Sequence, residues 1–194
     1  MNWITLERTV RQKALRVFTP MELRRMLGIS LASEQFLVYR YAKRGALLKL
    51  RNGLYALADQ PPSELVIANR LYEPSYISLE YAMAYYHLIP ETVYAMTSAT
   101  SRPTRTLTAA GKTFEYHRIK PQAFTGYEPT KVGTDLVLIA TPEKAVVDYL
   151  YFVDLHKKPL NDRLTMRSLQ RSRLISYAKL FERPSLMRLL RRLT

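Results

Sequence analysis

The chain has 194 residues, 47% of them apolar, enough for one good core or two small ones and too apolar for a disordered basic tail. It contains no cysteine, which excludes a disulfide framework, a thiolate metal site and a cysteine nucleophile together. Thirty lysines and arginines against 16 acids leave a formal charge of +14, the sign of a partner that carries negative charge.

That charge is segregated. Residues 1 to 58 hold 11 basic and 3 acidic side chains (net +8), residues 59 to 154 hold 8 and 11 (net −3), and residues 155 to 194 hold 11 and 2 (net +9). Two basic ends around a slightly acidic middle read as separate surfaces for a polyanion, with nucleic acid first and solvated helix faces as the plain alternative. No apolar run approaches the ~20 residues that cross a bilayer. The first residues, with Glu7, Arg8 and Arg11, lack a signal-peptide apolar region, so a soluble, cytoplasmic protein without a membrane partner is expected.

In chain order, Leu6, Val10, Ala14 and Val17 recur at helical spacing over residues 5 to 17, with Thr5 as N-cap. Thr19-Pro20 with Glu22 at the third helical position predicts a second helix through Leu23, Met26 and Leu27, stopped by Gly28. Ser30 caps a third, whose inward stripe is Leu37, Val38, Tyr41 and Ala42 and whose end is Gly45. Strands over 47 to 50 and 54 to 57 follow, joined through Arg51-Asn52-Gly53, in which Asn-Gly predicts positive φ values and a tight hairpin. Three helices, the last two separated by a short glycine turn, and then a hairpin make a winged helix-turn-helix domain over residues 1 to 60.

Asp59-Gln60-Pro61-Pro62-Ser63 reads as a linker into a second domain, residues 61 to 194. Its predicted elements are a helix over 64 to 71, an extended Tyr76-Ile77, and a helix capped by Ser78 that runs through His87 with Glu80 in its first turn. Strands over 92 to 98, 105 to 109, 113 to 119 and 135 to 140 come next, and then a helix from Thr141-Pro142-Glu143 to about Asp154. Lacking helical crossovers between its strands, this region reads as α+β with a mainly antiparallel sheet. A basic helical tail, 157 to 194, completes it with short helices over 165 to 171, 175 to 181 and 185 to 193.

Catalytic patterns are not found. His87, His117 and His156 have no metal-ligand spacing, and Glu115, Asp135, Glu143 and Lys144 do not form the carboxylate cluster of a metal-dependent nuclease. No nucleophile elbow or phosphate-cradling glycine loop surrounds the serines, so no catalytic residue, metal or cofactor is assigned.

A DNA-binding surface does emerge. Opposite the inward stripe, the third helix presents Ser33, Gln35, Phe36, Tyr39, Arg40 and Lys43. Ser33 and Gln35 suit base edges, Arg40 a guanine or a phosphate, and Tyr39 and Lys43 the backbone. Phe36 is open to two readings, a thymine-methyl contact or a core aromatic. On the hairpin, Lys49, Arg51 and Asn52 reach backbone or minor groove, unless the turn is merely solvated.

These residues resemble a known family. Phe18-Thr19-Pro20, Tyr39-Arg40-Tyr41-Ala42-Lys43-Arg44-Gly45 and Arg51-Asn52-Gly53-Leu54-Tyr55-Ala56-Leu57 are similar to the N-terminal winged helix of AbiEi-type antitoxins. Downstream, Tyr76-Ile77-Ser78-Leu79-Glu80-Tyr81-Ala82, His87-Leu88-Ile89-Pro90, the stretch 97 to 102, Phe114-Glu115-Tyr116, Ile119-Lys120-Pro121 and the run 140 to 148 with Pro142-Glu143-Lys144-Ala145 continue the likeness in order. The resemblance implies a bacterial antitoxin and autorepressor of a type IV toxin-antitoxin operon, binding inverted repeats in double-stranded DNA at its own promoter. It implies a cognate AbiEii-like nucleotidyltransferase toxin that is countered without a stable complex being required, and a dimer that forms in solution or only on DNA. The tail from Lys157 matches no motif and either follows phosphates or closes the fold. The rivals are a nuclease-like enzyme with basic substrate-binding ends and a winged-helix module that binds protein.

Overall fold

The computed structural model of the chain describes residues 2–194 and is α+β, with eight α-helices among them. Backbone packing divides the chain into two compact units, one ending at Leu71 and the other spanning Tyr72–Thr194.

The first unit opens with helices α1 (Trp3–Gln12), α2 (Pro20–Leu27) and α3 (Leu31–Lys43), continues through strands β1 (Leu47–Arg51) and β2 (Leu54–Leu57), and closes with α4 (Glu64–Leu71). The predicted capping box of α2 is formed. Glu22 N–H donates to Thr19 Oγ1 at 3.2 Å while Thr19 N–H donates to the Glu22 carboxylate at 2.6 Å, and Gly28 takes the left-handed conformation (φ 62°) that ends the helix. In α3, Ser33 N–H donates to Ser30 Oγ at 3.2 Å. Leu37, Val38 and Tyr41 turn inward to a core shared with Leu6, Val10, Phe18, Leu23, Leu47 and Leu57.

Three expectations for this unit change. α1 begins before Thr5, because Asn2 Oδ1 accepts from Thr5 N–H at 3.1 Å and Trp3 packs on Tyr41 at 5.0 Å between centroids. It also ends at Gln12, so Ala14 is exposed with positive φ, and Val17 and Phe18 pass into an extended segment that bridges to Tyr55. In the hairpin, Gly53 alone of the Asn52–Gly53 pair takes positive φ (73°), and the register shifts between Lys49 and Arg51, a bulge in an antiparallel pair. Finally, α4, expected in the second domain, belongs to the first unit: Arg70 Nη2 donates to Glu22 at 2.8 Å and Arg51 Nε to the Leu71 carbonyl at 3.0 Å.

The second unit holds β3 (Ser75–Ile77), α5 (Leu79–Tyr85), β4 (Met96–Thr100), β5 (Arg105–Ala109), β6 (Lys112–Arg118), a 3-10 turn at Pro121–Ala123, β7 (Tyr127–Val132), β8 (Asp135–Ala140), α6 (Pro142–Asp154), α7 (Arg171–Lys179) and α8 (Pro184–Leu193). Its six-stranded sheet runs β5-β6-β4-β3-β8-β7. The pairs β5/β6, β4/β3 and β8/β7 are antiparallel, whereas β6/β4 and β3/β8 are parallel, so the sheet is mixed. Strand β7 lies outside the predicted strands, since Pro129 interrupts its pattern; a proline is tolerated there because β7 is an edge.

Helix α6 is the centre of this unit. Residues 143 to 150 and Phe152 are all buried, and the helix packs against α5, α7, α8 and β8. The tail departs from expectation at residues 165 to 170, which are turn and coil, so that its first helix starts only at Arg171. In α8, Leu186 and Leu190 are buried while Arg188, Arg191 and Arg192 face solvent. No helix among the described residues is long and apolar enough to cross a membrane.

Candidate nucleic-acid interface

The inward stripe of α3 leaves a continuous outer face. Ser33, Gln35, Phe36, Tyr39 and Lys43 are exposed and Arg40 is half-buried. The Ser30 and Ser33 hydroxyls lie 3.0 Å apart, within hydrogen-bond distance. The Arg40 guanidinium lies 5.6 Å from the Tyr41 ring centroid and 5.9 Å from that of Phe36, and Lys43 Nζ lies 5.9 Å from Tyr39. Both cations therefore stand beside aromatic faces, which limits their freedom without neutralising them.

Acidic groups are withdrawn from this face. Glu34, the one acid of α3, is only 5% exposed and lies 3.9 Å from Arg24 Nε. Glu22 on α2 is held by Thr19 and Arg70. Partial burial favours its neutral form, yet the Thr19 and Arg70 hydrogen bonds outweigh this and keep the carboxyl below its ordinary range. Lys43, Arg44 and Lys49 are exposed, so the local field is positive.

The hairpin residues divide. Lys49 and Asn52 are exposed as expected. Arg51 is exposed too, but its guanidinium is partly engaged within the unit, Nε donating to Leu71 O at 3.0 Å and Nη1 to Asn52 O at 2.9 Å.

Phe36, for which the sequence allows a core or an outward place, is 61% exposed, beside Tyr39 at 66%. The signal was its place on the helical wheel opposite Leu37, Val38 and Tyr41.

In the second unit the most chemically distinctive cluster is closed to solvent. Lys144 and Asp148, one turn apart on α6, form an ion pair in which both side chains are 0% exposed. Asp148 Oδ2 also accepts from Tyr76 Oη at 2.9 Å and Ser78 Oγ at 2.8 Å. Ser78 thus does not cap α5 with its side chain; its hydroxyl joins the end of β3 to α6. Burial pushes the Asp148 carboxyl up against the pull of Lys144, and burial beside Asp148 pushes the Tyr76 phenol well up. Glu143 lies at the start of α6, where its Oε1 accepts from Gln170 N–H at 3.2 Å. His87 and His156 follow α5 and α6 with positive φ, and His117 lies 3.3 Å from Glu115, its pKa lowered chiefly by burial. No group of three metal-ligating side chains occurs among the described residues.

The charge division of the sequence is partly internal. Four tail cations pair with acids of the middle segment: Lys158 with Glu80 at 2.5 Å, Arg163 with Glu91 at 3.5 Å, Arg173 with Glu143 at 3.7 Å and Arg183 with Asp154 at 2.5 Å. The tail therefore serves in part to close the unit, while Arg167, Arg171, Arg188, Arg191 and Arg192 stay exposed. Compared with protein-family models and with curated proteins, the chain matches none.

Proposed function

We propose that α1 to β2 form a winged helix-turn-helix and that the protein is a DNA-binding transcriptional autorepressor. The observation that carries this reading is the outer face of α3, where Ser33, Gln35, Tyr39, Arg40 and Lys43 stand together with no exposed acid on the helix. In this reading α3 enters the major groove, Ser33, Gln35 and Arg40 read base edges, and Tyr39 and Lys43 hold the backbone. Lys49 and Asn52 on the hairpin add phosphate contacts, and Arg51 shapes the hairpin that presents them. Two copies meet an inverted repeat at the protein's own promoter.

The resemblance to AbiEi-type antitoxins extends the proposal to a bacterial, cytoplasmic type IV toxin-antitoxin pair, in which this chain counters an AbiEii-like nucleotidyltransferase toxin. The ordered segments of the second unit, Tyr76 to Ala82 and Pro142 to Asp148 above all, support that extension. They also have a structural use here, because Tyr76, Ser78, Lys144 and Asp148 form one buried network.

The test is binding of the purified chain to its own upstream DNA and to a scrambled duplex across a salt series. Tighter binding to the upstream DNA by at least ~1,000-fold is expected of a specific repressor; equal affinity for both duplexes would refute it. For the antitoxin role, co-expression with a neighbouring nucleotidyltransferase gene should restore growth that the neighbour alone arrests.

A further inference from the structure

Phe36 stands out of water's reach in neither sense: it is neither core nor covered. Burying a phenylalanine contributes ~1.5–3 kcal/mol, yet here the ring is 61% exposed on the side of α3 that carries Gln35, Tyr39 and Arg40. The inward positions of α3 are filled by Leu37, Val38 and Tyr41, so the core makes no use of it. Its neighbour one turn on is Arg40, whose guanidinium lies 5.9 Å from the Phe36 ring centroid and 5.6 Å from that of Tyr41. The surroundings are cationic, with Lys43 and Arg44 exposed and Glu34 turned in toward Arg24. The complementary occupant is a polyanion that offers an apolar point beside a bidentate acceptor.

The major groove presents that combination. Thymine contributes the groove's one apolar substituent, its C5-methyl, and guanine O6 and N7 form the acceptor pair that fits an arginine fork. Residues four apart on a helix are separated by ~6 Å along its axis, and bases along a strand by ~3.4 Å. The 5.9 Å between ring and guanidinium therefore matches base pairs one or two steps apart. The geometry points to Phe36 as a specificity-determining residue that reads a thymine methyl group, with Arg40 reading a guanine within two base pairs of it. This rests on the assignment of α3 as the base-reading helix and names what that helix prefers.

The experiment selects duplexes from a random-sequence library with the full-length protein, then remakes the enriched duplex with deoxyuridine replacing each thymidine singly, which removes only the methyl group. At one position the replacement weakens binding about four-fold, the value of one buried methyl. Phe36→Ala binds the thymidine and deoxyuridine duplexes equally. Arg40→Ala loses its preference for guanine at a position within two base pairs of the sensitive thymine. An enriched motif with no deoxyuridine-sensitive position, or one lying farther than two base pairs from the Arg40-dependent guanine, overturns the inference and leaves the base-reading helix standing. A library from which nothing is enriched overturns both. If Phe36→Ala retains the methyl preference and instead converts a dimer into a monomer on sedimentation, the ring packs against a second copy and the inference fails.

Discussion

Arg51 Nε donates to the carbonyl oxygen of Leu71 at 3.0 Å, across 20 residues of chain, and so ties the hairpin tip to the last residue of α4. Its Nη1 donates to the Asn52 carbonyl at 2.9 Å. A cation placed in this way holds the hairpin's shape before it holds a ligand. Arg51→Ala should therefore destabilise the first unit by about 1 kcal/mol. The check is chemical denaturation followed by the fluorescence of Trp3, the one tryptophan of the chain, which packs on Tyr41 in that unit. Arg51→Lys should not restore the loss, because an ammonium cannot reproduce the two directed bonds of the fork. An unchanged midpoint in Arg51→Ala would refute the anchoring role.

If the hairpin contacts DNA as proposed, Lys49 separates the electrostatic part of that binding from this structural part. It is exposed on the same hairpin, opposite Tyr55 in the register. Lys49→Ala should leave the Trp3 unfolding midpoint unchanged. It should weaken binding to all duplexes alike and reduce the slope of log affinity against log salt by ~0.9, the loss of one phosphate contact. Loss confined to one sequence would assign Lys49 to base reading instead.

Glu22 makes the stability of the first unit depend on acid. Its carboxylate accepts from Thr19 N–H at 2.6 Å and from Arg70 Nη2 at 2.8 and 2.9 Å, and it is held below its ordinary range despite partial burial. The unfolded chain therefore takes up this proton at a higher pH than the folded chain does. The stabilisation is complete above ~4.3, the ordinary glutamate value, and is lost as pH falls through the lower folded value. Glu22→Gln keeps an oxygen for the Thr19 N–H but removes the charge. At pH 7 it should unfold at lower denaturant than the parent by Trp3 fluorescence, and at pH 3 the difference should shrink. A difference of the same size at both pH values would show that the charge is not the cause.

What the sequence makes legible here is whatever is decided within a few residues. Thr19-Pro20, Glu22 and Gly28 delimit α2 because capping bonds span three or four positions, and Ser30 delimits the start of α3 likewise. Arg51-Asn52-Gly53 marks the hairpin for the same reason, although the bulge beside it depends on the partner strand. The start of α1 is not legible locally, because Trp3 is drawn in by Tyr41, almost forty residues away. Strand β7 is not legible either, because only its position at the sheet edge makes Pro129 acceptable, and the parallel pairing of β3 with β8 joins segments about sixty residues apart. In the candidate site the exposed face of α3 could be read from helical periodicity alone. The engagement of Arg51 with Leu71, and of four tail cations with middle-segment acids, could not, since a cation's partner is set by tertiary structure.

The buried Lys144–Asp148 pair supplies the strongest prediction for the second unit. Both side chains are fully enclosed, and Asp148 is further held by Tyr76 and Ser78. Removing one partner leaves an uncompensated charge in the core, which costs about 3–5 kcal/mol, whereas replacing both with apolar groups of similar volume is often neutral. Lys144→Met should thus unfold the second unit at much lower denaturant, and Lys144→Met combined with Asp148→Leu should recover a substantial part of the loss. Far-UV circular dichroism and hydrogen exchange at the amides of α6 report on this unit, which contains no tryptophan. The pH dependence runs opposite to that of Glu22. Burial raises the Asp148 carboxyl above its ordinary value, so the folded state holds this proton more tightly than the unfolded state, and stability declines as pH rises from ~3.9 through the folded value. Lys144→Met removes the main pull against that rise, so its deficit relative to the parent should be smallest in acid and grow toward neutral pH. A deficit that is constant from pH 4 to pH 7, or a double variant no better than Lys144→Met alone, would show that lost packing around Phe181, whose ring lies 4.8 Å from Lys144 Nζ, outweighs the unpaired charge.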